Sequence, residues 1–232
     1  MNNQKKSLTP RFVIQLLIYI IVIPFLPILI SWSWDWWEAW VYGIINVLGF
    51  LISRAMAAKR NPDLISERAQ FMKHENVFSW DKILAPIVAL GGGLIPLVVG
   101  LDELLNWSPA FSILIKIIAL AIILTGYIWG SYALIQNRFF SGMVRIQSDR
   151  GHQVITSGPY RWMRHPGYAG AICTYLATPL FLDSVWAFIP AVFLMIALVI
   201  RTSLEDKVLH VELEGYSEYA DKVRYRLFPG VW

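Results

Sequence analysis

Residues 111–135 read FSILIKIIALAIILTGYIWGSYALI, a run in which Lys116 is the only charged side chain. A helix needs about 20 apolar residues to cross the hydrocarbon core of a bilayer, so this run is predicted to span a membrane. The composition of the whole chain supports the same prediction, because 56% of its residues are hydrophobic and only 16% are charged, whereas soluble domains carry about 25% charged residues. We therefore expect an all-α, polytopic helical membrane protein.

Six apolar segments in all are candidate spans, and they cover residues 12–30, 37–56, 83–101, 111–135, 167–182 and 185–200. The fifth and sixth are short, and Leu182-Asp183-Ser184 between them is predicted to form a tight turn. Residues 167–200 are therefore expected to form a helical hairpin. The triplet at 91–93, Gly-Gly-Gly, is interpreted as a helix-packing or flexible point, because a phosphate-binding loop would follow a strand and precede Lys-Ser or Lys-Thr.

The basic residues are distributed asymmetrically about these segments. The loops on the side of the two termini carry 19 of the 20 Lys and Arg residues, and Lys116 is the exception. The loops on the other side carry acidic charges alone, at Asp35, Glu38, Asp102, Glu103 and Asp183. Because loops rich in Lys and Arg stay in the cytoplasm, both termini are predicted to be cytoplasmic. An even number of spans likewise places both termini on one side.

The chain divides into two parts at about residue 136. Residues 1–136 are predicted to form the N-terminal transmembrane helices, with a cytoplasmic loop near 57–82 that contains a short helix over 63–72. Residues 137–232 contain the hairpin and a C-terminal segment, 201–222, in which apolar side chains recur at helical spacing. This recurrence predicts an amphipathic helix that follows the last span.

The stretch 152–170, HQVITSGPYRWMRHPGYAG, combines many polar residues with a position beside a predicted span. Ionisable groups at a membrane boundary are costly, so they indicate a functional site. Pro159 and Pro166 each disfavour helical geometry in the preceding residue, and irregular backbone at membrane depth is tolerated where it lines a polar cavity. Gly167 allows another backbone or a ligand to approach closely. The alternative is a basic loop that binds lipid headgroups, which explains the Arg residues but not the clustered His, Tyr and Pro.

Other classes of site find little support. Cys173 is the only cysteine, which excludes an intramolecular disulfide, and no His or Cys spacing typical of a metal site occurs. No metal is therefore expected. The net charge of +4 is not concentrated in a basic run, so no nucleic-acid partner is expected either. Arg201 and Glu205 follow the last span four residues apart, a spacing that by itself favours an intrahelical ion pair.

Several motifs, in order along the chain, resemble the isoprenylcysteine carboxyl methyltransferase family. The run TSGPYRWMRHPGYAG over 156–170 is similar to the core motif of that family, and RTSLED over 201–206 resembles its Arg followed by an acidic pair. GYSEYADKV over 215–223 and RLFPGVW over 226–232 resemble its C-terminal signature. The resemblance covers about residues 144–232, and NPDLISER over 61–68 is similar to bacterial members of the family.

The resemblance implies methyl transfer from S-adenosylmethionine by an integral membrane enzyme. It places Arg201 towards the acceptor, and it implies a further polar donor contact within residues 145–147. The other implied contacts with the methyl donor are His152, Gln153, Val154, Ile155, Tyr160, His165, Pro166, Tyr168 and Glu205, and Gly167 lies among them. Asp206 stands where Glu is common in the family, which is a chemically mild change.

The chemistry of methyl transfer gives further expectations. A carboxylate acceptor is already ionised at neutral pH, so it needs no general base, and Arg201 would orient it through its fork of N–H groups. Arg164 is expected to neutralise the carboxylate of the donor. The C-terminal helix is expected to close over the donor through Leu204, Val208 and Tyr219.

The expected acceptor is a lipophilic small molecule or a prenylated protein terminus that approaches from the bilayer. Three alternatives stay open: a phospholipid N-methyltransferase, a membrane reductase of the sterol type with a nicotinamide cofactor, and a non-catalytic lipid-binding membrane protein. The expected location is the inner membrane of a bacterial cell, with the active site facing the cytoplasm. The sequence leaves the oligomeric state open.

Overall fold

The computed structural model describes residues 17–69 and 76–232, and all the regular secondary structure in these residues is helical. The prediction of an all-α fold is confirmed for this part of the chain. The helices are α1 (Ile18–Ser31), α2 (Trp37–Arg60), α3 (Pro62–Ala69), α4 (Asp81–Gly91), α5 (Leu94–Leu105), α6 (Ile113–Gln136), α7 (Pro166–Phe181), α8 (Phe188–Glu212) and α9 (Tyr216–Lys222). In α1 a π-helical turn and a 3-10 turn precede the α-helical residues Leu26–Ser31.

Four helical units of the described residues are long and apolar enough to cross a membrane: α2, the pair α4–α5, α6 and α8. The chain is therefore an integral membrane protein. Helix α7, with 16 residues, extends about 24 Å, which is less than the roughly 30 Å of a bilayer core. The count of six spans stays a prediction, as does the cytoplasmic position of the termini. Residues 12–16 of the first predicted span lie outside the described residues.

The sixth predicted span and the amphipathic helix after it are parts of one helix, so the bounds predicted for both are wrong. Helix α8 runs without interruption through 25 residues, from Phe188 to Glu212. The break comes later, where Gly215 adopts a left-handed conformation with φ of 78° before α9 begins. No Gly or Pro interrupts the chain between Pro190 and Gly215, so nothing stops the helix at the end of the apolar segment.

The turn between α7 and α8 contains Asp183 with a φ of 54°, as the sequence predicts for a tight connection. Its carboxylate accepts a hydrogen bond from the backbone N–H of Phe111, at 2.6 Å. Lys116, the one basic residue that departs from the charge asymmetry, forms ion pairs with both Glu38 and Asp183. The three side chains join α2, α6 and the α7–α8 turn, and they are nearly buried. Lys116 thus neutralises carboxylates inside the protein.

Close contacts between helices occur at glycine. Gly91 ends α4, and a Cβ atom there would lie 2.6 Å from Cδ2 of Leu194. The close contact at Gly91 supports the interpretation of residues 91–93 as a helix-packing point, and α5 starts at Leu94 after a turn. The interface between α6 and α7 is tighter still. A Cβ atom on Gly126 would lie 2.6 Å from the carbonyl oxygen of Gly170, so the two backbones touch.

The predicted short helix of the 57–82 loop is present as α3, which begins at Pro62. Residues 70–72 of that prediction lie outside the described residues. Leu64 of α3 is fully buried against Ala57 and Leu134, so this helix packs onto the ends of α2 and α6. The division of the chain near residue 136 stays a prediction.

The α6–α7 contact predicts a position-specific effect of adding one methyl group. Gly126→Ala places a Cβ atom within 2.6 Å of the Gly170 carbonyl oxygen and should force α6 and α7 apart. We expect a destabilisation of about 1–3 kcal/mol, typical of overpacking, seen as a lower melting temperature of the purified protein in detergent. Gly130→Ala is the matched control, because its nearest neighbour would be 4.0 Å away. Equal effects of the two changes would contradict the proposed backbone contact.

Candidate functional site

A cavity lies where the irregular segment 137–165 folds against the ends of α6, α7 and α8. Two short 3-10 turns, Ser148–Arg150 and Gly158–Arg161, interrupt the otherwise non-helical backbone of this segment. The cavity contains about 800 Å³ of empty space, including its mouth, within the range of roughly 300–1,000 Å³ found for small-molecule sites. We call it the motif cavity, because the 152–170 stretch supplies much of its wall.

The motif cavity brings together almost every residue that the sequence singled out. It is lined by His152, Gln153, Val154, Ile155, Tyr160, Arg164, His165, Gly167, Tyr168, Arg201 and Glu205. Pro166 is absent from the lining, because it is buried at the first position of α7. Within residues 145–147, Arg145 and Gln147 line the cavity. The roles that the sequence assigned to these side chains stay predictions, but their proximity is a property of the fold.

Asp206 is the centre of a buried hydrogen-bond network beside the cavity. Its carboxylate is fully buried and accepts two hydrogen bonds from Arg164, from Nε at 2.8 Å and from Nη2 at 3.0 Å. It also accepts hydrogen bonds from the hydroxyl of Tyr216 at 2.8 Å and from Nε of Arg226 at 2.7 Å, and Nε2 of His165 lies 3.3 Å away. The carboxylate of Asp206 therefore connects residues 164–165, α8, α9 and the C-terminal residues around Arg226.

This network changes the expectation for Arg164. Its remaining nitrogen, Nη1, donates to the backbone carbonyl oxygens of Val223 and Arg224, at 2.8 and 3.0 Å. Asp206 and two backbone carbonyls thus occupy all three nitrogens of Arg164, so this residue ties distant segments together. Its expected role towards the donor carboxylate stays a prediction. In the sequence, Asp206 stood out only as an Asp where Glu is common in the family. Its position beside Glu205, with arginines at 224 and 226, is the signal that could have indicated a charge network.

Arg201 forms its ion pair with Asp81 at the start of α4, so the intrahelical pair with Glu205 is wrong. Nε and Nη2 of Arg201 donate to the two carboxylate oxygens of Asp81 at 2.7 and 2.9 Å, and Nη2 also donates to the carbonyl oxygen of Gly142 at 3.0 Å. Asp81 is fully buried and accepts the backbone N–H of Val144 at 2.5 Å. No acceptor among the described residues bonds Nη1 of Arg201, so that nitrogen is available on the cavity side.

Glu205 has a different partner on the cavity wall. Its Oε2 accepts a hydrogen bond from the hydroxyl of Tyr168, at 2.7 Å. The Tyr168 ring stacks on His165, with 5.8 Å between ring centroids and 5° between planes, and the Arg201 guanidinium lies 5.4 Å from its centroid. The second oxygen of Glu205 has no hydrogen bond among the described residues, so the carboxylate retains the capacity to accept from a ligand.

His152 is an uncharged member of the site at neutral pH. Burial and the nearby positive charges of Arg145 and Arg150 lower the pKa of His152 to about 4. Its Nδ1 atom accepts a hydrogen bond from the backbone N–H of Gln147, at 3.3 Å, and its ring lies 4.6 Å from that of Phe139. Arg145 is itself held by Glu67 and Asp149, so its charge is balanced.

Aromatic and aliphatic side chains form the remaining wall. Tyr160 is buried, and its pKa is raised by burial. The hydroxyl of Tyr219 donates to its backbone carbonyl oxygen at 2.7 Å, which attaches α9 to the 158–161 turn. Of the residues expected to close the cavity, Tyr219 lines it, whereas Leu204 and Val208 do not. Leu209 near the end of α8, Leu213 just after it and Tyr216 at the start of α9 line it instead.

Comparison with known proteins agrees with the resemblance found in the motifs. Residues 117–211 match the family model described as "Isoprenylcysteine carboxyl methyltransferase (ICMT) family". Two relatives from Oryza sativa, subspecies indica and japonica, are each named "Probable protein-S-isoprenylcysteine O-methyltransferase". Each is 29% identical over 121 residues, which are 47% of this chain and 59% of the relative. The chain thus covers less than two thirds of the length of these relatives.

Residues 117–211 are thus similar to the isoprenylcysteine carboxyl methyltransferase family, and this match supports the family resemblance seen in the sequence. This range contains most of α6, all of α7 and most of α8, together with the whole irregular segment 137–165. Three residues of the site lie outside the match. Tyr216 and Tyr219 line the cavity, and Asp81 forms the ion pair with Arg201.

The Asp206 network predicts a large loss of stability from an isosteric change. Asp206→Asn removes the charge that balances Arg164 and Arg226, and breaking a buried ion pair costs about 3–5 kcal/mol. We expect a clearly lower melting temperature for the purified protein in detergent. Asp221→Asn, on the exposed surface of α9, is the control and should melt like the unchanged protein. If the two variants melted alike, the network would not support the fold.

Proposed function

We propose that this chain, whose residues 117–211 carry the core of its family, is an S-adenosylmethionine-dependent membrane methyltransferase. In this proposal it methylates the carboxylate of a lipophilic, isoprenylcysteine-like acceptor at the membrane boundary. The observation that carries the proposal is the motif cavity, in which residues from 152–168 and from 201–205 form one wall at the ends of membrane helices. The charge asymmetry of the loops supports a cytoplasmic site, and the 61–68 stretch supports a bacterial inner membrane.

The residues of the motif cavity fit the chemistry of the methyl donor. When bound, S-adenosylmethionine would supply a methyl group that its positively charged sulfur already activates. Glu205, with one oxygen free of hydrogen bonds among the described residues, suits the donor ammonium or a ribose hydroxyl. Tyr160, Tyr216 and Tyr219 provide aromatic surface for an adenine ring or for a cation–π contact with the sulfonium. His152 is neutral at pH 7 and therefore adds no charge that would repel this cation.

The acceptor would be oriented by Arg201. Asp81 fixes the guanidinium through Nε and Nη2, which leaves Nη1 to donate to one oxygen of an acceptor carboxylate. The pairing with Asp81 also moderates the positive charge. A carboxylate held by a single hydrogen bond beside a neutralised arginine keeps its nucleophilicity better than one in a bidentate ion pair. The role of Arg201 is thus alignment, which contributes to rate by placing the reacting groups in line.

The chemical nature of the product tests the proposed function. The purified protein is incubated with S-adenosylmethionine labelled on its methyl group and with a prenylcysteine, and in parallel with membrane lipid extract. We expect label that is transferred to the prenylcysteine and released by mild base, because the product is an ester. Base-stable label in lipid would indicate N-methylation of a phospholipid. An absence of donor binding by calorimetry would overturn both methyltransferase hypotheses and favour a reductase or a non-catalytic lipid-binding protein.

The variant Glu205→Gln tests the proposed contact between Glu205 and the methyl donor. It keeps the shape of the side chain but removes a charge, and a charge-assisted hydrogen bond contributes about 1.5–3 kcal/mol. Donor affinity measured by calorimetry should therefore fall by roughly tenfold or more. Glu214→Gln, on an exposed residue just beyond α8, should leave the affinity unchanged. An unchanged affinity in Glu205→Gln would remove this side chain from the donor site.

The role of Arg201 needs a charge-balanced variant. Arg201→Gln alone leaves the buried Asp81 carboxylate unpaired, so a loss of activity could come from misfolding. The double variant Asp81→Asn/Arg201→Gln removes both charges and should melt closer to the unchanged protein than the single variant does. We expect it to bind the donor normally but to lose turnover by about 10²-fold, as for removal of a positioned hydrogen-bond donor. Equal losses in donor affinity and turnover would contradict the assigned role.

A further inference from the structure

A second cavity lies between the helices and adjoins the motif cavity. It contains about 1,250 Å³ of empty space, including its openings, and its walls come from α1, α2, α6 and α7, with Gly92 and Ile95 from the α4–α5 region. Phe140 and Gly167 line both cavities. We call the second one the interhelical cavity. The proposed function involves the motif cavity alone, so the role of this larger space is a separate question.

The interhelical cavity is unusually polar for a space between membrane helices. Its lining combines aliphatic residues such as Ile20, Ile23 and Leu134 with hydroxyl and amide side chains. The polar members are Tyr19, Tyr42, Asn46, Ser53, Arg54, Tyr127, Ser131, Thr174, Tyr175 and Thr178. Several of these bond one another or the backbone, as Tyr127 does with Asn46. A mixed lining of this kind suits an amphiphile better than a purely hydrocarbon chain.

Arg54 is the one residue with a formal charge among the described residues that line this cavity. Its guanidinium lies 4.6 Å from the centroid of the Phe50 ring, and Nη1 donates to the hydroxyl of Ser53 at 3.3 Å. No carboxylate among the described residues forms an ion pair with it. Arg54 is partly buried near the C-terminal end of α2. A charged side chain at a membrane boundary is costly unless a partner balances it, and neither the ring nor the hydroxyl carries a negative charge. An anion in the cavity would provide that balance.

Arg68 adds a second positive charge at the boundary between the two cavities. Its Nη1 atom donates to the backbone carbonyl oxygens of Phe140 and Ser141, at 3.0 and 3.2 Å, and its guanidinium lies 5.4 Å from the Phe140 ring centroid. Burial and the positive charges of Arg54 and Arg201 lower the pKa of Arg68 to about 9. The residue is still protonated at pH 7, and Phe140, whose carbonyl oxygen it bonds, lines both cavities.

The charge of Arg201 is balanced, whereas those of Arg54 and Arg68 are not. Asp81 holds Arg201 in a bidentate ion pair, but the described residues supply no carboxylate to Arg54 or Arg68. Glu205 faces the motif cavity, where the proposed function pairs it with the donor. Positive charge without an ionic partner among the described residues therefore lies at Arg54, in the lining of the interhelical cavity, and at Arg68, beside the shared residue Phe140. We therefore expect Arg54 and Arg68 to attract an anion more strongly than Arg201 does.

We propose that Arg54 binds the anionic head of a membrane-embedded amphiphile that occupies the interhelical cavity, with Arg68 strengthening the positive potential. We infer that the amphiphile is a lipophilic carboxylate, and this identification as the methyl acceptor rests on the proposed function. The head would lie beside Arg54 in the lining of the interhelical cavity, which shares Phe140 and Gly167 with the motif cavity that Arg201 lines. Arg54 thus selects an ionised acceptor before Arg201 aligns it.

A matched pair of probes tests this proposal without the methyl donor. The full chain is reconstituted in nanodiscs of phosphatidylcholine and titrated with dansyl-labelled undecanoic acid or with its methyl ester, which has the same tail but no charge. We expect the acid to bind about tenfold more tightly than the ester, as one charge-assisted contact implies. Arg54→Gln should reduce this preference to about one, and Arg54→Lys should retain part of it.

The control variant is Lys59→Gln, which removes a positive charge from an exposed position of the same helix and should keep the full preference. A folded Arg54→Gln protein, judged by its melting temperature, that still prefers the acid tenfold would overturn the proposal. Equal binding of acid and ester by the unchanged protein would also overturn it. If the acid preference depends on Arg54 while calorimetry finds no donor binding, the anion site is supported and the methyl-transfer function is overturned.

The source of the anion is tested by changing the lipid. Nanodiscs that contain phosphatidylglycerol present phosphate groups with the same charge as the carboxylate head. An acid preference that persists in these nanodiscs supports a site for a single-chain carboxylate. If phosphatidylglycerol abolished the preference, a phospholipid phosphate would occupy Arg54, and the assignment of the site to the acceptor would be overturned.

Discussion

The buried carboxylate of Asp206 is the interaction on which the architecture of the site depends. It binds Arg164 through two hydrogen bonds and also accepts from Tyr216 and Arg226. These partners come from the end of the irregular segment, from α9 and from the C-terminal residues, none of which forms a long helix of its own. Because a buried charge must be paired, this one residue of α8 adds specific polar contacts to three segments that also pack through apolar side chains.

Buried charges in this protein fall into two groups with different consequences. Arg201, Arg164 and Lys116 are each paired with carboxylates from distant parts of the chain, and such pairs specify which segments meet. Arg54 and Arg68 are held by aromatic rings, a hydroxyl and backbone carbonyls. A charged side chain without an ionic partner at a membrane boundary is costly, so it indicates a functional site at which a ligand could balance the charge. The first group builds the fold, with Arg201 also lining the motif cavity, whereas we propose that the second group attracts a ligand.

The sequence was a good guide to the helices and to the membership of the site. The apolar run at 111–135 became α6 within two residues at each end, since a run of that length has no other stable form in a bilayer. The helix end after span six was placed wrongly, because a change from apolar to charged residues alters the environment of a helix without ending it. The motif residues were found together, because their polarity and their Pro residues mark a non-helical wall.

By itself, the sequence determined the helical class, the order of the apolar segments, the family resemblance of residues 117–211 and many of the polar side chains around the motif cavity. Only the tertiary structure decided the partners of the charged groups. Arg201 pairs with a carboxylate 120 residues away rather than four residues away, and Asp206 proved to be the hub of the site. The reason is physical: helical periodicity and hydropathy are local properties of a chain, whereas the partner of a buried charge depends on which distant segments pack around it.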